Sequence, residues 1–357
     1  MHVLNNSGEM TYKPVWVIGW EGGIKRYSMD KTKFIVNRLL MALLTLFLIT
    51  FVVFMVIQLP PGDFVDTLVE HMIAEGEKVS ETEIANLKEM YGMNRPFIVQ
   101  YFSWLKGILT GNWGTSFTYN QPVLTKISET LGITVGISIA TMVFTYALSI
   151  PIAVFSAKHQ YTLGDYLVTF IGFIGLAVPN FLMAILLMYA SYRLTGKSIM
   201  GLPEFGITSF ATFGEWIKSL IIPILVIGIN GTCGLIRTIR SQILDEQGQP
   251  YVLAVRSKGV SENTITYKYQ MRAVLNPIVS GLGNMIASVF NGSTITAVVL
   301  LLPTLGPVLL KALRTQDIYL SGGILLISAT LVVIGNLISD LLLAVLDPRI
   351  KLVEESE

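Results

Sequence analysis

Charge is what this sequence has least of. Its 357 residues include 25 Lys+Arg and 24 Asp+Glu, so only 14% are charged, against roughly a quarter in soluble domains. Half the usual charge is too little to cover a water-facing globule of this size, which excludes a soluble enzyme or a disordered regulator. The formal net charge of +1 removes bulk attraction to polyanions and with it a nucleic-acid partner. The single cysteine, Cys233, excludes an internal disulfide and any CxxC metal or redox motif. The three histidines, His2, His71 and His159, are scattered, so the sequence offers no metal site and no clustered acid–base groups for a membrane enzyme. There is also no GxxxxGK[ST] loop to cradle phosphates. GINGTCG (228–234) is glycine-rich but lacks the Lys-Ser/Thr pair, and its small residues suit close helix packing instead.

What is present in excess is apolar sequence: 52% hydrophobic residues and a mean hydropathy of +0.62. No Asp, Glu, Lys or Arg occurs in 39–62, 130–157, 166–192, 219–236, 273–310 or 318–339. Each run reaches the ~18 residues needed to cross a ~30 Å hydrocarbon core as a helix. The runs are continuous rather than alternating, which excludes barrel strands. Spans are therefore expected near 34–58, 130–157, 165–192, 217–239, 277–302 and 320–346. Six spans place both ends on one side. With the N-terminus cytoplasmic, 15 of the 25 Lys+Arg lie inside, a modest excess in the expected direction. Residues 1–33 are then a cytoplasmic extension and 347–357 a cytoplasmic tail, in a multi-pass protein of the cell membrane. The extension is too polar for a cleavable signal, so the first span doubles as a signal anchor.

The 59–129 segment is expected outside, with helices of its own. Ser80 and Glu83 fit a capping box, and Gly92 after Tyr91 a left-handed stop. FIVQYFSWLKGIL (97–109) is amphipathic and aromatic, as suits a helix at the membrane interface. Within the core region 130–346, the cytoplasmic loop 240–276 carries the most information. It breaks at Gly248 and Pro250, then a short helix runs from Tyr251 to about Lys258, with Gly259 as its stop. Ser261 caps a second helix whose basic face carries Lys268 and Arg272. A helix–Gly–helix hairpin between two spans is suited to docking in a groove of a soluble partner. An ordinary basic loop stays open as the alternative on periodicity alone.

Residues 251–277 resemble the signature loop of ABC-importer permeases in the form found in the dipeptide/oligopeptide permease family, first-permease (B-type) subunit. The resemblance is carried by Tyr251, Val252, Arg256, Lys258, Gly259, Ser261, Glu262 and Pro277. Leu253, Ala254 and Val255 stand where the loop's name-giving Glu-Ala-Ala lies in other branches. LPPGD (59–63), YGMNRPFIVQYFSWLKGILTGNWGTSF (91–117), VPNF (178–181), LLPTLGPVLLKAL (301–313) and DPRI (347–350) follow in family order.

The resemblance implies an all-α integral membrane protein of six transmembrane helices with the type I fold of binding-protein-dependent importers. It implies a second homologous permease subunit in a heterodimer, two ABC ATPase subunits, and an extracytoplasmic solute-binding protein, all working at the lipid bilayer. This chain would bind no cofactor, ATP and Mg being used by the ATPase partners. Tyr251 to Val255 would supply apolar contacts to an ATPase, with Arg256, Lys258 and Glu262 at the polar rim and Gly259 permitting the reversal. The implied cargo is oligopeptide, with oligosaccharide as the alternative. The external aromatics Tyr101, Phe102, Trp104 and Trp113 would suit sugars or act as membrane anchors.

Asp340 is the one acid well inside an expected span, and a membrane-depth acid is a functional candidate by default. Helix packing and proton coupling are both open for it. An ion-driven secondary transporter would need more such residues and usually an internal repeat, and the sequence has neither. Pro151, Pro179 and Pro223 are candidate kinks, and Cys233 reads as a small buried hydrophobe.

Overall fold

The structure is a computed structural model. It describes residues 2–4, 10–12, 31–59, 62–196, 200–203, 210–276, 278–281 and 294–346. Pro277, the DPRI motif, most of 1–33 and the middle of the expected fifth span lie outside the described residues.

The described residues are helical almost throughout. A short antiparallel pair, β1 (His2–Leu4) and β2 (Met10–Tyr12), precedes α1 (Lys31–Ile57). Three shorter helices follow: α2 (Phe64–Ala74), α3 (Glu81–Met90) and α4 (Phe97–Leu109). The two-residue strands β3 (Thr115–Ser116) and β4 (Gln121–Pro122) pair antiparallel and lead into α5 (Val123–Lys158). Then come α6 (Leu163–Ala177), α7 (Asn180–Thr195) and α8 (Phe210–Gln247). The remainder comprises α9 (Pro250–Ser257), α10 (Glu262–Thr264), α11 (Thr294–Val299), α12 (Leu305–Arg314) and α13 (Ile318–Leu346).

Four described helices are long and apolar enough to cross a membrane, over Arg38–Ile57, Val123–Lys158, Phe213–Gln247 and Ile318–Leu343. The α6–α7 pair, bent by 106° at its break, is apolar enough to count as a fifth if it is taken as one broken span. The expected span over 165–192, with Pro179 as a candidate kink, is here two helices broken at Val178 and Pro179. The cause is Pro179: it pushes Val178 into extended backbone (φ −85°, ψ 123°) and itself starts the next helix. The second span also starts earlier than the uncharged run, at Val123 after Pro122. Lys126 and Glu129 pair at 2.9 Å on its first turns, so charge marks the end of the apolar stretch and not of the helix. Residues 294–299 are helical within the expected fifth span, and Leu301 ends that stretch at φ +52°.

Helix direction follows from the seam between α5 and α8. Thr145 and Ser149 donate to the carbonyls of Gly228 (3.4 Å) and Thr232 (3.2 Å). Four residues along one helix match four along the other in the same sense, so α5 and α8 run parallel. Gly228 permits this approach, because a Cβ there would sit 2.7 Å from the Phe144 ring. Two parallel spans require the chain to return between them. The bent pair does so, passing Cys233 at Gly175 on α6 and bringing Ala184 of α7 among Ile137, Ile222 and Val226.

Among the described residues, four apolar clusters hold the bundle. At the end opposite the 250–276 loop, Val123 and Ile127 pack with Leu305, Val308, Ala312, Leu320 and Ile324. Beside them Asp317, fully buried, starts α13: it accepts from Leu320 N (3.1 Å), Ser116 Oγ (2.6 Å) and Thr118 N (3.0 Å). The capping box at Ser80 and Glu83 forms as expected, and Gly92 adopts φ +70°. The α4 helix keeps exposed apolar residues such as Ile98 and Phe102, yet it also buries Tyr101 and Trp104 against Phe54 and Ile318. The α1 and α13 helices pack together, and Arg38 meets Asp340 at 3.3 Å. Asp340 therefore has a helix-packing partner.

Candidate functional site

The loop after α8 folds into two arms. Pro250 occupies the first position of α9, where its missing amide costs nothing and its fixed φ suits the helix. The arm ends at Ser257, and Gly259 turns the chain at φ +75°, the left-handed conformation that glycine adopts most readily. Ser261 then caps α10, accepting from Thr264 N at 3.5 Å. The helix widens over Ile265–Gln270 into a π-helical stretch and continues through 271–276. The stop and the cap fall at the expected residues.

The burial pattern divides the arms into an inner and an outer face. Val252, Ile265, Thr266 and Gln270 are buried, and beyond them Val274 and Ile278 join Ala153, Val154, Ala157, Ile239 and Ile243. The second arm is thereby built into the base of α5 and α8. Outward, Tyr251 is 40% exposed and Leu253 50%, and Ala254, Arg256, Lys258, Gly259, Ser261 and Glu262 are exposed with Val255 partly so. The structure thus brings ten of the eleven sequence-derived site residues into one hairpin, Val252 on its inner side; Pro277 is the one outside the described residues.

The charges do not all face outward to a partner. Arg256 and Glu262 meet across the Gly259 turn in a bidentate pair, Nε–Oε1 2.6 Å and Nη2–Oε2 3.0 Å. The guanidinium hydrogen bonds hold the Glu262 carboxyl below its ordinary range and raise Arg256 further. Partial burial, aided by a hydrogen bond from its hydroxyl to the Glu246 carboxylate, pushes Tyr251 up to about 12.

Sequence reasoning missed the groups that tie this hairpin to the spans. Lys158, at the end of α5, donates to Asn263 Oδ1 at 2.6 Å and lies 4.9 Å from the Tyr267 ring centroid. Two residues earlier, Ser156 donates to Asp165, which is 3% exposed at the start of α6. Arg240 of α8 reaches the same carboxylate through Nε (2.9 Å) and Nη2 (2.8 Å), and Tyr161 N donates to it at 3.0 Å. Two sequence signals were available: Thr162 and Asp165 have N-cap spacing, and Arg240 stands just beyond an uncharged run. Neither identifies the other as its partner.

Such a hairpin can present a rigid, partly apolar knob to a protein groove. Family comparison decides what kind of protein carries it. Residues 149–352 match the model of the binding-protein-dependent transport system inner membrane component, and 31–140 match the N-terminal membrane component of the same systems. The chain belongs to this ABC-importer permease family. Its fold is accordingly the all-α type I importer permease fold. The oligopeptide transport system permease protein AppB of Bacillus subtilis is 35% identical over 320 residues, 89% of this chain and 99% of the relative. The dipeptide transport system permease protein DppB of Lactococcus lactis is 28% identical over 322 residues, 90% and 99% of the two chains. The nickel import system permease protein NikB of Staphylococcus aureus is 28% identical over 320 residues, 90% of this chain and 92% of the relative. A permease subunit of this family is non-catalytic and embedded in the membrane.

Proposed function

We propose that this chain is one of two transmembrane subunits of an ATP-driven, solute-binding-protein-dependent importer of oligopeptides. A second, similar permease completes the pathway, two ATPase subunits hydrolyse ATP with Mg, and an extracytoplasmic binding protein delivers the cargo. Both termini and the 240–276 loop face the cytoplasm, and 59–129 faces outside. The observation that carries this reading is the hairpin itself, an exposed knob whose inner face is continuous with the bases of α5 and α8. A partner that moves the knob moves the spans. Tyr251, Leu253, Ala254 and Val255 form the apolar contact, with Val252 anchoring from within. Lys258 adds a polar rim charge, while Arg256 and Glu262 keep the Gly259 turn closed and Ser261 starts the second arm.

Oligopeptide is favoured by the AppB relative. The oligosaccharide alternative leaned on four external aromatics, and two of these, Tyr101 and Trp104, are spent on packing against α1. The test is reconstitution in liposomes of this chain with its second permease, both ATPases and the binding protein, using labelled pentaalanine. Uptake that requires ATP and all the subunits is expected. Concentrative uptake by this polypeptide alone, driven by a proton gradient, refutes the importer reading in favour of a secondary transporter.

A further inference from the structure

We infer that Asp165 and Arg240 are positioning residues that lock α5, α6 and α8 into one block at the hairpin, so that α6 moves whenever the hairpin moves. The inference rests on the lever reading proposed above. Its basis is geometric. Asp165 accepts from Ser156 of α5, from Arg240 of α8 through two nitrogens, and from Tyr161 N in the α5–α6 turn. One carboxylate thus holds three helices at a single point, and it does so buried. Arg240 Nε also lies 3.1 Å from Ser156 Oγ, which closes the network into a ring.

The ring sits at the hairpin ends of α5 and α8 and at the start of α6. Arg240 lies on the last turns of α8 before the loop, and Lys158, two residues after Ser156, grips Asn263 of the second arm. A force on the hairpin reaches α5 through Lys158 and α8 through the chain itself. The α6 helix follows α5 through the short 159–162 turn and packs along α8, and Asp165 ties its base to both. Above that anchor, Gly175 and Cys233 touch so closely that a Cβ would lie 2.6 Å from Sγ, but that contact is apolar and can slide. The ion pair cannot slide without exposing an unpaired buried carboxylate. Beyond α6 lies the break at Val178 and Pro179, which allows α7 to change its angle while α6 travels with the block.

The test uses the complete importer in liposomes, with a Cys233→Ala background and spin labels at Lys268→Cys of the second arm, Leu167→Cys of α6 and Leu44→Cys of α1. With otherwise wild-type residues, trapping ATP with vanadate is expected to leave the 268–167 distance unchanged and to shift the 167–44 distance. In Asp165→Asn the pattern should invert, with 268–167 shifting and 167–44 still. Pentaalanine uptake per ATP hydrolysed should fall at least tenfold, with assembly intact. Arg240→Lys gives a second reading if Asp165→Asn does not assemble, and the swap Asp165→Arg/Arg240→Asp should restore the original pattern. Unchanged distances and coupling ratio in an assembled Asp165→Asn or Arg240→Lys complex overturn the inference, as does an α6 that stays still while the wild-type hairpin moves. Failure of the wild-type complex to import pentaalanine refutes the cargo reading and leaves the distance test in force.

Discussion

Replacing Gly259 separates a lever from a passive loop. Its φ of +75° lies where L-residues are disfavoured, and a Cβ added there meets nothing within 4 Å. Gly259→Ala therefore costs only the left-handed conformation, about 1–2 kcal/mol. That lowers the population of the closed turn by roughly 5–30-fold relative to open ones. Gly259→Asn should lie near wild type, because asparagine tolerates this region. Proline is the severe case. Its φ near −65° is about 140° away from the observed value, and it removes the amide that donates to the Arg256 carbonyl at 3.0 Å. The lost bond adds about 1 kcal/mol to the backbone conflict, at least ~3 kcal/mol together. That is more than a hundredfold in the turn equilibrium. The turn at Gly259 is exposed, so the damage stays in the hairpin and insertion should survive. Uptake of pentaalanine and substrate-stimulated ATPase activity should fall in the order Gly, Asn, Ala, Pro, with membrane levels unchanged. Normal ATP-dependent uptake by a fully inserted Gly259→Pro variant would refute the lever.

Three further outcomes are expected. Lys88 lies 2.7 Å from Asp66 and 3.1 Å from Asp63; its hydrogen bond lowers Asp66 below the ordinary 3.8 and Asp66 in turn raises Lys88. The stabilisation from a lowered carboxylate is present above its unfolded pKa and lost as pH falls through the folded one. Proteolysis in the 75–80 turn should therefore rise only below about pH 4, and in Lys88→Ala it should be raised already at neutral pH. Gly175→Ala should destabilise the α6–α8 contact by about 1–3 kcal/mol through overpacking, and Cys233→Ala should relieve it by removing the sulfur; equal thermal unfolding of Gly175→Ala with and without Cys233→Ala would contradict the contact. In a Cys233→Ala background, a cysteine at Glu262 should resist an impermeant reagent applied to intact cells while one at Glu81 reacts, and ready labelling at Glu262 from outside would reverse the proposed topology.

Composition and uncharged runs determine the class of this protein, because a chain with so few charges has no other solvent than a bilayer. They also locate most of the membrane helices. Short-range signals were equally legible where the partners are local: Ser80 with Glu83, Gly92, Ser261 and Gly259 each act within three or four residues, and each takes the expected conformation. The hairpin could be read because its turn chemistry and its family motif lie in one stretch of chain. The break at Val178 and Pro179 was visible as a candidate kink, but a bend of 106° depends on what the two halves pack against, namely Cys233 below and Ile137 above. Partnerships between distant residues belong to the tertiary structure alone. Arg256 and Glu262 were both read as rim charges, and only the left-handed turn between them aims one at the other. Arg38 finds Asp340, and Arg240 finds Asp165, across separations of 302 and 75 residues. No periodicity encodes such pairs, because they arise only when distant spans come into register, and of these charges only Asp165 is buried and so must meet a counter-charge there.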